Sequence, residues 1–160
     1  GTNEVTLMTK DGPREARVVY YNPQVDIALL RSENLPFVPM KWAEGEGQQG
    51  QDAIVMGYPN GGPFKATPAR IREKFVVSGP NIYADERVER EAYSLRGSVV
   101  QGNSGGPLID KDGHVLGVVF GADINEEDTG YALTREEVMK HVGDVTSHQG
   151  SPATGACVAD

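Results

Sequence analysis

The sequence has few of the residues that form disulfides or hold metals. It contains one cysteine, Cys157, and three histidines among 160 residues. A single cysteine cannot form a disulfide within the chain, and no group of cysteines and histidines has the spacing of a metal site. We therefore expect no metal and no cofactor, and a disulfide at Cys157 would need a second cysteine outside this sequence.

Long apolar runs and an excess of positive charge are also missing. No stretch comes near the roughly 18 apolar residues that a membrane span needs. The formal net charge of −8 opposes binding to nucleic acid or to an anionic membrane surface. With 38% apolar residues, the length of 160 residues suits one globular domain, or most of one.

What the chain does have is a series of short β-strand patterns at intervals of roughly ten residues, the spacing of a sandwich or barrel. A hairpin is predicted over residues 4–21, with its turn at Asp11-Gly12. The further predicted strands cover residues 25–31, 52–59, 69–79, 91–97, 106–110 and 114–121. The sequence is therefore predicted to be all-β.

A single helix is predicted, over residues 134–142. Thr134 is a favourable N-cap, acidic residues follow in the first turn, and Val138 and Val142 are four residues apart on one face. The remaining residues, 146–160, lack periodicity and are predicted to lie as a coil tail on the surface.

Ser104 stands in a segment rich in glycine, VVQGNSGGPLID, at residues 99–110. Glycine costs entropy to order and is favoured where φ is positive or where another backbone comes close, which indicates an unusual loop shape. The letters also match G-x-S-x-G, the strand–turn–helix serine motif of α/β-hydrolases. That interpretation is disfavoured, because two glycines and Pro107 make a poor first helical turn and a hairpin pattern with its turn at Asp112-Gly113 follows.

Three segments carry a recognisable pattern: VDIALLR at residues 25–31, GNSGGPLID at 102–110 and HVLGVVFG at 114–121. Together they resemble the trypsin-like serine endopeptidases, in particular the bacterial HtrA and Deg branch. The resemblance covers residues 1 to about 142 and implies a chymotrypsin-like double β-barrel with a C-terminal helix. The implied divisions are an incomplete N-terminal barrel over residues 1–42, the C-terminal barrel with its helix over 43–145, and the tail over 146–160.

The same resemblance implies roles for the residues around the serine. Ser104 would be the nucleophile, Asp26 would orient the base, and the backbone N–H groups of Gly102 and Ser104 would form the oxyanion hole. A serine hydroxyl needs a base held by a carboxylate, and the developing charge on the substrate oxygen needs preorganised donors. Asp26 suits its role because a charged residue is otherwise unexpected in the apolar segment 25–31.

The catalytic base is missing from the place where the family has it. The chain order in this family is His, Asp, Ser, and no histidine lies between Gly1 and Asp26. His114, His141 and His148 follow in a hairpin, on the helix and in the tail, where we expect all three to be solvated. The catalytic histidine is therefore predicted upstream of Gly1, on a preceding segment that stays docked as a separate chain, which self-cleavage would produce.

By position in the family, five residues would form the primary specificity pocket and the adjoining substrate-binding strand. Ser98 would lie at the pocket floor, and because it is neutral it cannot pair with a lysine or arginine of the substrate. We therefore expect cleavage after small or medium apolar residues. The predicted pocket residues are Ser98, Val99, Gln101, Phe120 and Gly121.

The leading hypothesis is a serine endopeptidase that cleaves proteins and peptides through a Ser-His-Asp acyl-enzyme mechanism. The resemblance implies an envelope protease of acid or oxidative stress, extracytoplasmic on a membrane-anchored parent, and inactive as this chain alone. A disulfide from Cys157 to a cysteine upstream of Gly1 would hold the pieces together. The alternative is a catalytically inactive protease-fold module that binds peptides, but the presence of Ser104, Gly102 and Asp26 favours the enzyme.

Overall fold

The structure is a computed structural model that describes residues 1–157, so the last three residues of the predicted tail, 158–160, lie outside the described residues. Its regular elements are nearly all strands, with one short α-helix and two three-residue 3-10 helices, Pro59–Gly61 and Val145–Ser147. The elements are β1 Glu4–Thr9, β2 Gly12–Asn22, β3 Ile27–Arg31, β4 Asp52–Gly57, β5 Lys65–Pro80, β6 Arg87–Arg96, β7 Pro107–Ile109, β8 Val115–Ala122, β9 Thr129–Thr134 and α1 Arg135–Val142.

Strands β4 to β9 close into a barrel in the order β4-β5-β6-β9-β8-β7. Alternate residues face inward, as the period of a strand requires: in β4 the buried positions are Ala53, Val55 and Gly57. The barrel core is completed by large, fully buried side chains from the other strands, including Tyr93 and Leu108. These six strands form the kind of barrel that the resemblance implied for the C-terminal part of the chain.

Strands β1, β2 and β3 form a separate three-stranded antiparallel sheet. The β1–β2 hairpin pairs Thr9 with Gly12, so its turn residues are Lys10 and Asp11, one position earlier than predicted. Gly12 has φ +105°, a conformation that glycine adopts without strain. The sheet does not close within the described residues, as expected for an incomplete first barrel.

Helix α1 begins where the N-cap pattern predicted. The Thr134 hydroxyl accepts a hydrogen bond from the Glu137 backbone N–H at 3.1 Å and donates to Glu91 Oε1 at 2.8 Å. Val138 and Val142 are both buried. Within residues 1–157, no helix is long and apolar enough to cross a membrane.

The chain divides into two compact units. The first comprises Gly1–Pro39, Ser78–Val88 and the residues from Met139 onward, and the second comprises Met40–Val77 and Glu89–Val138. The predicted division at residues 42 and 145 follows chain order, whereas each observed unit joins segments that are far apart in the sequence.

Inside the first unit, the 78–88 segment is bound to the β2–β3 region. The hydroxyls of Tyr21 and Tyr83 are 2.8 Å apart, and Gln24 Nε2 donates to Glu86 Oε2 at 2.7 Å. These bonds explain why a segment between two barrel strands belongs to the first unit.

The tail that follows α1 also packs on the first sheet. Arg31 donates to the His148 carbonyl at 3.0 Å, and Arg17 donates to the next carbonyl at 2.9 Å. The His148 ring lies 5.0 Å from the Tyr20 ring, and its Nε2 is 2.7 Å from the carbonyl oxygen of Val142. The expectation that His148 is solvated is therefore wrong, because the ring is half-buried between the helix end and β2.

Candidate active site

The loop that carries Ser104 joins β6 to β7 and is held by backbone hydrogen bonds on two flanks. On the flank of β8, Gly105 N donates to Val119 O at 2.7 Å, and Val119 N donates to Gly106 O at 2.9 Å. On the flank of β4, Tyr58 N donates to Gly102 O at 3.1 Å. The loop is therefore fixed between the ends of two barrel strands.

Two glycines of this loop are required by the close approach of other backbone. Gly102 has φ +98°, and a Cβ there would lie 2.1 Å from the carbonyl oxygen of Tyr58. A Cβ on Gly106 would lie 2.1 Å from the carbonyl oxygen of Met56. Real Cβ atoms do not approach oxygen so closely, so the glycine-rich pattern reflects packing of this loop against the end of β4.

Ser104 and the amides around it are accessible. Ser104 and Gly102 are exposed, while Asn103 between them is only 2% exposed. Among the hydrogen bonds of residues 1–157, the backbone N–H groups of Gly102 and Ser104 donate to no group of the chain. Two such donors beside one hydroxyl can stabilise a negatively charged oxygen.

The end of β8 offers a free strand edge next to the loop. Strand β7 pairs with β8 from Val115 to Val118, and the register with β9 shifts between Val119 and Gly121, which leaves Phe120 at a bulge. Beyond Val119, the edge of β8 that faces β7 carries no strand partner among the described residues. An extended peptide can pair with such an edge.

Phe120 is held in place by its neighbours. The Arg90 guanidinium lies 5.4 Å from the centre of the Phe120 ring. The Tyr131 ring stacks on the Phe120 ring, with 6.2 Å between the ring centres. Tyr131 in turn donates its hydroxyl proton to Asp123 Oδ2 at 2.8 Å. The pKa of the Asp123 carboxyl is lowered, most by the hydrogen bond from the Asn125 backbone N–H and next by this bond from Tyr131. The side chain at the predicted substrate strand is thus half-buried and ordered.

The other predicted pocket residues differ in exposure. Ser98 and Gln101 are exposed, and Gly121 is partly so. Val99 is 5% exposed and belongs to the barrel core, where a Cβ on Gly130 would lie 2.3 Å from Val99 Cγ2. Val99 therefore packs inside the barrel, while Ser98 and Gln101 on either side of it face solvent.

Asp26 lies in the first unit, in the turn before β3, and not in the strand itself as its sequence context suggested. It is exposed and has φ +62°, a conformation that aspartate tolerates better than most residues. Burial, the hydrogen bond between Tyr21 and Tyr83 and the nearby charges of Tyr83 and Asp26 raise the pKa of Tyr21 to about 12.

The three histidines lie elsewhere in the fold. His114 is in the β7–β8 connection, with Nδ1 3.9 Å from Asp110 Oδ2, and His141 is on α1. His148 contacts Tyr20 as described above. Within residues 1–157, no group of three or more His, Cys, Asp or Glu side chains is placed to hold a metal ion.

The sequence patterns did not point to Tyr58, which they placed at the end of a strand. The structure places its backbone against Gly102 and its ring against Phe64. In the sequence, Tyr58 and Phe64 flank the turn PNGGP at residues 59–63, and this pair of aromatic residues could have indicated the contact between their rings.

Comparison with known proteins shows the family of the chain. The trypsin-like peptidase domain family matches residues 2–118. The chain belongs to the trypsin-like peptidase family. Serine protease Rv3671c of Mycobacterium tuberculosis strain H37Rv is 50% identical over 160 residues, which cover 99% of this chain and 40% of that protein. This trypsin-like chain thus spans about 40% of the length of that curated relative.

Solved structures confirm the trypsin-like fold. The crystal structure of the Rv3671c protease from M. tuberculosis in its active form superposes with a TM-score of 0.93 at 49% identity, covering 99% of this chain and 70% of that one. The HtrA-type protease AlgW with a decapeptide superposes with a TM-score of 0.71 at 22% identity, covering 92% of this chain and 46% of that one, a likeness of fold alone.

Proposed function

We propose that the protein carrying this chain is a serine endopeptidase and that Ser104 is its nucleophile. The observation that carries the proposal is the loop geometry: Ser104 is exposed, its own backbone N–H and that of Gly102 donate to no group of the described chain, and a free strand edge lies next to the loop. In this scheme Ser104 Oγ attacks the scissile carbonyl, the peptide C–N bond breaks, and water then hydrolyses the acyl-enzyme.

The oxyanion hole would be formed by the N–H groups of Gly102 and Ser104. Because the loop is fixed at Val119 and at Tyr58, these donors need no rearrangement when the negative charge develops. A preorganised donor of this kind stabilises the transition state by about 3–4 kcal/mol.

The base would be a histidine from a part of the protein outside this chain. It would take the proton of Ser104 Oγ and pass it to the leaving amine, while Asp26 would hold its tautomer. The exposure of Asp26 leaves its carboxylate available for this contact. Without that histidine, this chain alone would be inactive.

The substrate would pair with the edge of β8 at Phe120 and Gly121. Ser98, Val99 and Gln101 would surround the side chain before the cleaved bond, and because Ser98 is neutral we expect a small or medium apolar residue there. AlgW, which shares the fold, was solved with a decapeptide.

The histidine-bearing segment would dock on the first unit. An apolar groove of about 560 Å³ crosses this unit, with Val5, Val18, Tyr21, Leu30 and Cys157 among its lining residues. A strand of the first barrel placed here would cover these side chains. Cys157, a free and exposed thiol, would then be positioned to form a disulfide with that segment.

This assignment fits an extracytoplasmic stress protease on a membrane-anchored parent, where disulfides persist and where unfolded proteins supply extended peptides. The envelope location follows from the HtrA resemblance. Alkylation of unreduced full-length protein followed by mass spectrometry tests the bridge, because complete modification of Cys157 excludes it.

The test of the catalytic assignment is labelling of the full-length protein with a fluorophosphonate, which reacts with activated serines. Ser104→Ala should abolish labelling and reduce peptide hydrolysis by about 10⁶-fold, while Ser78→Ala, an exposed serine outside the loop, should change neither. Hydrolysis retained within about tenfold would refute the assignment. Peptide binding without labelling of the wild type would favour the inactive peptide-binding module.

A further inference from the structure

Two large aromatic rings lie exposed beside the nucleophile loop. Tyr58 is 57% exposed and Phe64 is 53% exposed, and their rings meet edge to face with centroids 5.8 Å apart. Edge-to-face packing stabilises an aromatic pair, but each ring still leaves much apolar surface in contact with water. A paired apolar patch of this kind is suited to bind another apolar group.

The turn that carries these rings is bonded directly to the loop of Ser104. Tyr58 N donates to Gly102 O at 3.1 Å, and Asn60 N donates to Gln101 O at 2.7 Å. The turn is closed internally by Gly61 N, which donates to Tyr58 O at 3.0 Å. The backbone of residues 58–61 is therefore fixed relative to the nucleophile loop, and it places the Tyr58 ring, with Phe64 packed against it, beside that loop.

Barrel topology places this turn on the flank opposite the free β8 edge. Strand β7 lies between β8 and β4, so the loop leading into β7 has the end of β8 on one side and the end of β4 on the other. A substrate that paired with Phe120 and Gly121 before its cleaved bond would cross Ser104 and leave over the β4 flank. The residues after the cleaved bond would then lie on the side of Tyr58 and Phe64.

We propose that Tyr58 and Phe64 form a subsite for an apolar side chain at one of the first two residues after the cleaved bond. This inference rests on the proposed endopeptidase function. Residues 57–64 contain no charged side chain, so the turn offers apolar rings and backbone groups, and it provides no ion pair for a charged substrate residue.

The experiment measures acyl transfer by the full-length protein. A peptide ester acylates Ser104, and an added dipeptide amide then competes with water for the acyl-enzyme. The amine displaces Ser104 Oγ from the acyl carbon, an amide bond forms, and the proton of the amine returns to the serine through the base. The ratio of amide product to acid product reports binding on the leaving-group side.

The wild type should accept leucyl-phenylalanine amide about tenfold better than glycyl-glycine amide, the discrimination expected of an apolar pocket. In the double variant Tyr58→Ala/Phe64→Ala this preference should disappear, while fluorophosphonate labelling and ester hydrolysis stay close to wild type. Tyr58→Phe should retain the preference. Val76→Ala, which removes an exposed apolar side chain from β5, is the matched control and should also retain it.

Three results would overturn the subsite. A wild type that labels and hydrolyses esters but shows no apolar preference excludes it without any variant. A preference that survives in the double variant excludes it as well. Loss of labelling together with a lowered Tm in the double variant would mean that the rings serve folding. Absence of labelling in the wild type would instead refute the endopeptidase function itself.

Discussion

Tyr58 and Gly102 contact each other through backbone alone. Tyr58 N–H donates to the Gly102 carbonyl at 3.1 Å, and the Tyr58 carbonyl oxygen occupies the position where a Cβ on residue 102 would point. Because of this contact, packing alone requires glycine at position 102, whether or not a substrate is bound. It also joins the predicted oxyanion donor to the turn that carries the exposed aromatic pair.

We predict that Gly102→Ala lowers both activity and stability. The new methyl group would meet Tyr58 O at 2.1 Å, so the loop must shift and the Gly102 amide loses its position. We expect kcat/KM of the full-length protein to fall about 10²- to 10³-fold, the usual effect of losing one oxyanion donor. Peptide hydrolysis and urea unfolding measure the two effects.

Gly105→Ala is the control for backbone strain. Gly105 has φ +84° and has no atom within 4 Å of an added Cβ, so its alanine variant bears strain of about 1–2 kcal/mol without the clash. Equal losses in the two variants would show that the Tyr58 contact is unimportant.

We predict that Asp26→Asn reduces kcat by about 10⁴-fold in the full-length protein, because asparagine would favour the wrong histidine tautomer. Asp26 is exposed in a turn, so the loss should come without a change in Tm. Asp11→Asn, in the exposed β1–β2 turn of the same unit, should leave kcat unchanged. If kcat falls less than tenfold in Asp26→Asn, another carboxylate orients the base.

We predict that Ser98→Asp shifts cleavage toward lysine and arginine before the cleaved bond. A charge-assisted hydrogen bond is worth about 1.5–3 kcal/mol, so kcat/KM for these residues should rise roughly 10- to 100-fold relative to apolar ones. A peptide library analysed by mass spectrometry gives the profile, with Ser98→Asn as the uncharged control. An unchanged profile would place the pocket elsewhere.

We predict that Tyr21→Phe weakens the pH dependence of stability between pH 10 and 12. The pKa of Tyr21 is raised from 10.0 to about 12, chiefly by burial and by the Tyr83 hydrogen bond, so the folded state favours the neutral phenol. The resulting stabilisation is fully present below pH 10 and is lost as the pH rises through about 12. Urea unfolding across this range measures it, and Tyr83→Phe should reduce the same slope in part.

Local chemistry in the sequence was sufficient to predict much of the fold. The alternating pattern of β4, the cap at Thr134 and the glycines around Ser104 each depend on residues close together in the chain, and the structure has the predicted barrel strands and helix in these places. The family pattern around Ser104 likewise needed no distant contact to be recognised. The roles of Ser104 and Asp26 in catalysis remain predictions.

Other features depended on which distant segments meet, and these could not be predicted. His148 has the same local surroundings as a solvated tail residue, yet it packs on Tyr20, 128 positions earlier in the chain. The close fit of Tyr58 to Gly102, like the burial of Val99 against Gly130, exists only once the barrel closes with its register. The residue types and their periodicity therefore determined the elements and the nucleophile motif. Barrel closure and tail packing decided which surfaces stay exposed, because long-range contacts follow from register and not from neighbours in the sequence.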